Sequence, residues 1–446
     1  MCSGGGKMLR EEAVKAALSS GAEEAEAFEL FTREISIHVE KGKVKTASSV
    51  RMVGLGVRAA MGKKLGFAFA TNPTSGVEVG REAAENSKAA PEDPDFGGLP
   101  DARKVDYLSE LMDPKLRDLD LNEAADLFLA AVESARLSDK VISVSGKLEV
   151  AFSKVAVFSS KGVDALEERT YLTAYIEAAS KDGDRRGSGF GFADGRRLDM
   201  FDPEKVGREA GDLAIRTLDA TTIGVEELPV VFQPKAQFTL IPFLVGQAAN
   251  AENLQYGRSF LTNRIGDQIA REEVSIVDDG RIPWLPGSSS FDAEGIPTGR
   301  TYVIENGVFK SPIHNWYTAM KEGVESTGNA SRDHTRPPAI SSHTVSIEAP
   351  SLQMKKDELL DVKRGVLVVY TMDTPNLSTG EFSGMAETAF LIESGEVTKS
   401  LRQTSMGFRI EDFLKTMDAV GDDVETLMGF KGGSVRVKIK VAGPGA

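Results

Sequence analysis

Two five-residue strings occur twice in this chain, in the same order and at nearly one spacing. GFAFA at 66–70 returns as GFGFA at 189–193, and VGREA at 79–83 returns as VGREA at 206–210, offsets of 123 and 127 residues. A unit that is repeated has to be buried in the same way twice, so the strings predict a duplicated fold. The alternative is coincidence over ten residues. The patterns around the strings favour duplication. A helical pattern runs from about Met8 to Leu18, EISIHVE at 34–40 alternates Ile35, Ile37 and Val39 with polar residues, and MVGLGVRA and KLGFAFA extend a meander around a Gly62-Lys63-Lys64 turn. A helix over 76–89 closes the unit. After PEDPDFGGLP at 91–100, a linker by its prolines and glycines, the same order returns. It comprises a helix from about Asn122 to Leu137, the runs KLEVAFSKVAVFSS and TYLTAYIEAAS, and a helix near 203–219. RRGSGFGF at 185–192 lies between sheet segments with no helix start behind it, so it reads as a turn rather than an anion cradle.

From about Leu228 onward strands and turns dominate. LPVVF precedes a helix over about Lys235 to Leu254, TYVIENGVF carries an Asn306-Gly307 hairpin turn, and the runs at 365–371, 387–393 and 435–441 are apolar or alternating. The fold class is α+β: duplicated helix-meander-helix N-terminal units followed by a strand-rich α+β C-terminal domain. We expect domains at 1–100, 101–224 and 225–446, in keeping with 446 residues at roughly 150 per domain.

Fifty-three Lys and Arg against 67 Asp and Glu give a net charge of −14, which makes direct nucleic-acid binding a poor expectation. Apolar runs such as LIPFLVG at 240–246 are far shorter than the ~20 residues of a bilayer span, so no membrane partner is expected. The opening MCSGGGKMLREE has no apolar export region, and the expected location is cytoplasmic. Cys2 is the only cysteine, which excludes an intrachain disulfide and a Cys-based zinc cluster; the SGGG after it reads as a disordered tail.

Four histidines leave few routes to metal or acid–base chemistry. His38 sits on the polar side of a strand pattern, and His314, before Asn315 and Trp316, marks a helix start. His334 and His343 bracket a proline-rich loop at no zinc spacing. There is no HExxH, GxSxG, Walker or dinucleotide motif. Polar density peaks in ESTGNASRDHTRPP at 325–338, where Thr327, Asn329, Ser331, Arg332, Asp333 and His334 crowd one loop: either a hydrogen-bonded structural turn or a binding loop. Asp292 and Glu294 could pair as acid and base, but two carboxylates beside a Gly-Ile-Pro turn are expected to face solvent.

These stretches carry a resemblance. SFDAEGIPTGR with TYVIENGVFK, then STGNASR, then STGEFSGMAETAFLIESGEV, then MDAVGDD resemble blocks of the TldD/PmbA family in the family's order, a family once described as modulators of DNA gyrase and now regarded as metalloprotease-related. The resemblance implies two kinds of subunit. TldD-type chains carry HExxxH and a late cysteine, and PmbA-type, or TldE-type, chains lack the motif. Counting back from YGRSF at 256–260, the motif's His, Glu and His fall on Pro242, Phe243 and Gln247, and the late cysteine on Met428. None of these suits zinc, so no catalytic residue, no metal and no cofactor is expected. The resemblance thus implies a non-catalytic PmbA/TldE-type subunit, a homodimer or a heterodimer with a TldD-type partner, handling small or unfolded peptides. Its substrate-path candidates are Thr327, Asn329, Arg332 and His334 in one loop and Thr379, Glu381 and Ser383 in another. Two further readings stay open: hydrolysis by this chain through Asp292, Glu294 or His334, and a binding role toward gyrase or a toxin without proteolysis.

Overall fold

The computed structural model describes residues 9–444, so Cys2, Met8 and the glycine-rich start lie outside it. Helix α1 (Leu9–Ser19) leads into three antiparallel strands, β1 (Glu24–Glu40), β2 (Lys43–Met61) and β3 (Lys64–Thr71), and helix α2 (Val77–Ala89) closes the unit. Residues 91–100 have no regular structure. After a short helix α3 (Pro114–Asp118) the order returns as α4 (Leu121–Ser134), β4 (Val141–Ser159), β5 (Asp164–Asp182), β6 (Arg185–Gly195) and α5 (Pro203–Arg216). The six strands form one sheet in the order β3-β2-β1-β4-β5-β6, joined through antiparallel pairing of β1 with β4. The duplication is therefore real, and its two halves meet at their first strands.

The repeated strings occupy equivalent places. Gly66 on β3 lies so close to α2 that a Cβ would overlap the Ala83 carbonyl oxygen, and Gly189 on β6 stands in the same relation to Ala210 on α5. On the helices, Gly80 faces the Ala13 carbonyl of α1 and Gly207 the Ala131 carbonyl of α4, again with no room for a Cβ. The glycines of RRGSGFGF therefore form a strand, not a turn: Gly187, Gly189 and Gly191 project to one side under α5, and only their missing side chains let the helix settle there.

Odd-numbered residues toward the two ends of β1, Ala25, Ala27, Ile35, Ile37 and Val39, are buried under the helices. Even-numbered Glu26, Phe28 and Leu30 point the other way, and there Phe28 and Leu30 pack with Phe291, Ala293 and Ala330 of the C-terminal half. That half carries a second sheet in which the strand Glu226–Phe232 runs parallel to Arg364–Tyr370 and antiparallel to Val435–Ala442. Its core includes a cluster of Phe232, Phe382, Phe408 and Phe413 rings. A third sheet includes Ser275–Asp279, Arg300–Glu305 and Thr344–Glu348. Asn306 and Gly307 take positive φ of 49° and 79°, the hairpin turn that their types favour.

The expected helix over Lys235 to Leu254 is broken. It runs as Pro234–Gln237, then Ile241–Phe243 continuing into one wide turn at Leu244–Ala248, then Ala251–Gln255 capped by Asn250. Pro242 has no N–H to give to a preceding turn, so it begins a new segment instead of extending the old one. Among the described residues no helix is long and apolar enough to cross a membrane.

Candidate functional site

The junction between the first sheet and the C-terminal half is ionic and buried. Glu26 on β1 stands opposite Arg58 on β2, which donates to it from Nε at 3.2 Å and Nη2 at 2.7 Å. Arg58 also meets Glu294 at 2.9 Å, and Arg332 donates to Glu26 while its guanidinium lies 4.8 Å from the Phe28 ring centre. Two acids and two arginines thus close a neutral cluster whose carboxylates are at most 1% exposed. Burial opposes the Glu26 charge, but Arg332 and Arg58 outweigh it and hold its carboxyl below the ordinary value.

Asp292 and Glu294 are thus buried, contrary to the solvent-facing expectation. The turn that carries them uses their oxygens: Asp292 accepts the backbone N–H groups of Glu294, Ile296 and Ala330 at 2.9–3.0 Å, and Glu294 accepts that of Trp316 at 2.8 Å. Burial, with the neighbouring Glu294, still pushes the Asp292 carboxyl up to about 7.

The loop at 325–338 is partly internal: Gly328, Asn329, Ala330, Arg332 and His334 are buried, whereas Glu325, Ser331, Thr335, Arg336 and Pro337 are exposed. The Thr327 hydroxyl contacts the His314 carbonyl and the Asn329 side chain. The Asn329 amide donates to Asp278 at 2.7 Å and to the Ser341 carbonyl at 2.9 Å. His334 lies over Gly54 and Gly56 of β2, where any side chain would collide with it, and its Nε2 is 2.7 Å from the Thr71 hydroxyl. His314 is buried, and Asn315 caps the helix Trp316–Glu322.

His343, read from sequence only for zinc spacing, has the more telling surroundings. The Asp278 carboxylate takes its backbone N–H at 2.6 Å and its ring Nδ1 at 2.9 Å. Both hydrogens of the Asn329 amide are committed to Asp278 and Ser341, so the ring supplies the proton on Nδ1, and among the described residues Nε2 has no protein partner. His343 lines a cavity of about 370 Å³ between the first sheet and the loops at 286–293 and 330–343. Arg169, Tyr171 and several serine hydroxyls line it on the polar side. Nothing in the sequence could join Asp278, His343 and Arg169, which come from three distant segments.

Thr379, Glu381 and Ser383 sit elsewhere. They lie on or beside the strand Glu381–Ala386, which pairs with Thr404–Arg409, and they are exposed. No hydrogen bond or ion pair links them to the 325–338 loop among the described residues.

Pro242 and Phe243 are half-buried in the broken helix, and Gln247 is exposed on its wide turn. Met428 is 36% exposed, and its backbone N–H donates to Asp194 at 2.8 Å. The two places flank one segment: a Cβ on Gly246 would stand 3.1 Å from the Ser342 hydroxyl, and one on Gly429 3.2 Å from the His343 carbonyl. As a donor set, a proline, a phenylalanine, an amide and a thioether do not fit zinc. Among the described residues no three His, Cys, Asp or Glu side chains converge as ligands.

Asp194 permits a sharp test. Burial pushes its carboxyl up to about 6, against the single backbone hydrogen bond from Met428. A carboxylic acid whose pKa is raised on folding contributes its stability below the unfolded value of 3.8 and loses it as pH rises through about 6. Asp194→Asn should therefore stabilise the chain at pH 8 by on the order of 1 kcal/mol, read as a raised thermal midpoint, with the gain shrinking toward pH 4. Calorimetric scans at the two pH values check it; an equal shift at both would remove the buried charge as the cause.

Comparison with known proteins agrees with this architecture. Profiles of the PmbA/TldA metallopeptidase family match in three consecutive parts: domain 1 at residues 25–90, the central domain at 114–218 and the C-terminal domain at 225–443. A metalloprotease of Methanothermobacter thermautotrophicus is 28% identical over 412 residues, covering 90% of this chain and 89% of the relative. A metalloprotease PmbA homolog of Haemophilus influenzae is 25% identical over 441 residues, 97% of this chain and 94% of its own. The crystal structure of TldE from Thermococcus kodakarensis superposes with a TM-score of 0.89 at 24% identity, covering 97% of this chain and 99% of that one, and shares the fold. With the three family profiles in sequence over most of its length, the chain belongs to the PmbA/TldD metallopeptidase family.

Proposed function

We propose that this chain is a non-catalytic, TldE-type subunit that pairs with a TldD-type peptidase and helps present small or unfolded peptides to it. One observation carries the reading: Pro242, Phe243, Gln247 and Met428 stand where the resemblance puts the metal ligands of a catalytic subunit, and none can replace imidazole, carboxylate or thiolate. The hydrolytic alternative loses support from the buried network. Asp292 is held by three backbone N–H groups, Glu294 by the Trp316 N–H and its ion pair with Arg58, and His334 is enclosed against β2. Arg332 is buried in the ion cluster and His334 is enclosed against β2, so the exposed Thr379, Glu381 and Ser383 are the peptide-facing candidates that we keep.

Co-purification from the native host, followed by metal analysis of the separated chains and a peptidase assay on an unstructured peptide, tests this. We expect a TldD-type chain in the complex, stoichiometric metal on that chain only, and cleavage only when both are present. Cleavage by this chain alone, reduced by His334→Ala, would restore the hydrolytic reading.

A further inference from the structure

The cavity at the junction of the first sheet and the C-terminal half has two unlike walls. One is apolar, formed by Phe28, Leu30, Val155 and Phe291. The other carries His343 and Arg169. The imidazole is fixed: Asp278 holds both its backbone N–H and its Nδ1, Asn329 holds Asp278, and among the described residues Nε2 has no protein partner. Arg169 is anchored to Glu167 through Nε and Nη2, Nη1 has no partner among the described residues, and the side chain is 25% exposed. Burial opposes the imidazolium, yet the Asp278 carboxylate outweighs it and holds the ring's pKa above the ordinary value, which favours Nε2–H as a charged donor.

The two acids along the cavity do not cancel these donors. Asp292 has its oxygens on three backbone N–H groups. Asp333 is engaged by Thr335 and Arg336. A volume of about 370 Å³ lies at the small end of ligand sites, enough for one or two residues of a peptide. The cavity also abuts the segment Ser342–His343 that Gly246 and Gly429 flank, so it adjoins the positions that the resemblance aligns with the catalytic centre of TldD-type chains.

We propose that this cavity binds the C-terminal residue of a peptide, its carboxylate held by the His343 imidazole and the Arg169 guanidinium and its apolar side chain seated against Phe28, Leu30, Val155 and Phe291. Both donors form charge-assisted hydrogen bonds, which a carboxamide cannot match. The inference rests on the reading of the chain as a peptide-handling subunit and adds which end of the peptide it takes.

Titration calorimetry on the full chain tests it with three probes: N-acetyl-leucine, its amide, and the α-amide of N-acetyl-glutamate, which moves the carboxylate to a side chain. N-acetyl-leucine should bind at least about tenfold more tightly than either of the others. Arg169→Gln and His343→Gln should each reduce that preference by roughly tenfold. Arg169→Gln alters a partly exposed side chain and is the variant on which the result is read should His343→Gln unfold. Equal binding of acid and amide, no binding of any probe, or an unchanged preference in Arg169→Gln overturns the proposal. Preference for the glutamate probe overturns the assignment to a chain terminus. Any of these with an intact, active mixed complex leaves the subunit reading standing, whereas a chain that captures no TldD-type partner overturns that reading whatever the probes do.

Discussion

Glu26→Ala is expected to destabilise the folded chain by about 3–5 kcal/mol, because it leaves two buried arginines facing one another with a single carboxylate between them. In the intact cluster Arg58 divides its donors between Glu26 and Glu294, and Arg332 bonds to Glu26 from a side chain with no exposed surface. Removing Glu26 strips Arg332 of its only acidic partner among the described residues. The effect should also depend on pH. A carboxyl held below its ordinary value of 4.5 contributes stability that is complete above that value and is lost as pH falls through the depressed one. Wild type should therefore lose more stability than Glu26→Ala on acidification below about 4.5. Urea unfolding followed by tryptophan fluorescence suits the measurement, since Trp316 bonds to both Glu294 and the Gly98 carbonyl at this junction. A loss under about 1 kcal/mol would mean that the cluster relaxes or takes in water when one member goes.

The second large effect is expected at Gly207. Alanine there gains helix propensity by up to about 1 kcal/mol, which alone would stabilise α5. Its Cβ, however, would overlap the Ala131 carbonyl oxygen of α4, and neither backbone can yield without separating the helices. Overpacking of this kind costs up to about 3 kcal/mol, so the net change should be destabilising. Gly80→Ala, against the Ala13 carbonyl, should behave alike, because the duplication repeats the contact. Thermal unfolding of the two variants decides the matter; a raised midpoint in either would show that propensity outweighs the crossing.

Much of the fold was legible because its signals are local. Ile35, Ile37 and Val39 alternate within five residues, Asn306-Gly307 has the turn chemistry that its hairpin needs, and the paired strings mark one helix-on-sheet contact made twice. Where local reading failed, a longer-range contact had intervened. RRGSGFGF looked like a turn because glycine is usual in turns, yet its glycines are spaced by two to admit α5. Asp292 and Glu294 looked solvated, since the chain cannot announce that the N–H groups of Ala330 and Trp316 will arrive to satisfy them. Pro242 did carry a signal for the helix break, and the apolar run around it obscured that signal.

By itself the sequence determined most of the order of elements in the first two units and their repetition. Alternation states which face of a strand is buried but not what buries it. The tertiary structure alone decided that Arg332 reaches Glu26 across 306 residues, that Asp278 fixes His343, and that Arg169 shares a cavity with both walls of the junction. Charges and donors select partners by distance in space, and that distance exists only once the first sheet and the C-terminal half have closed on each other.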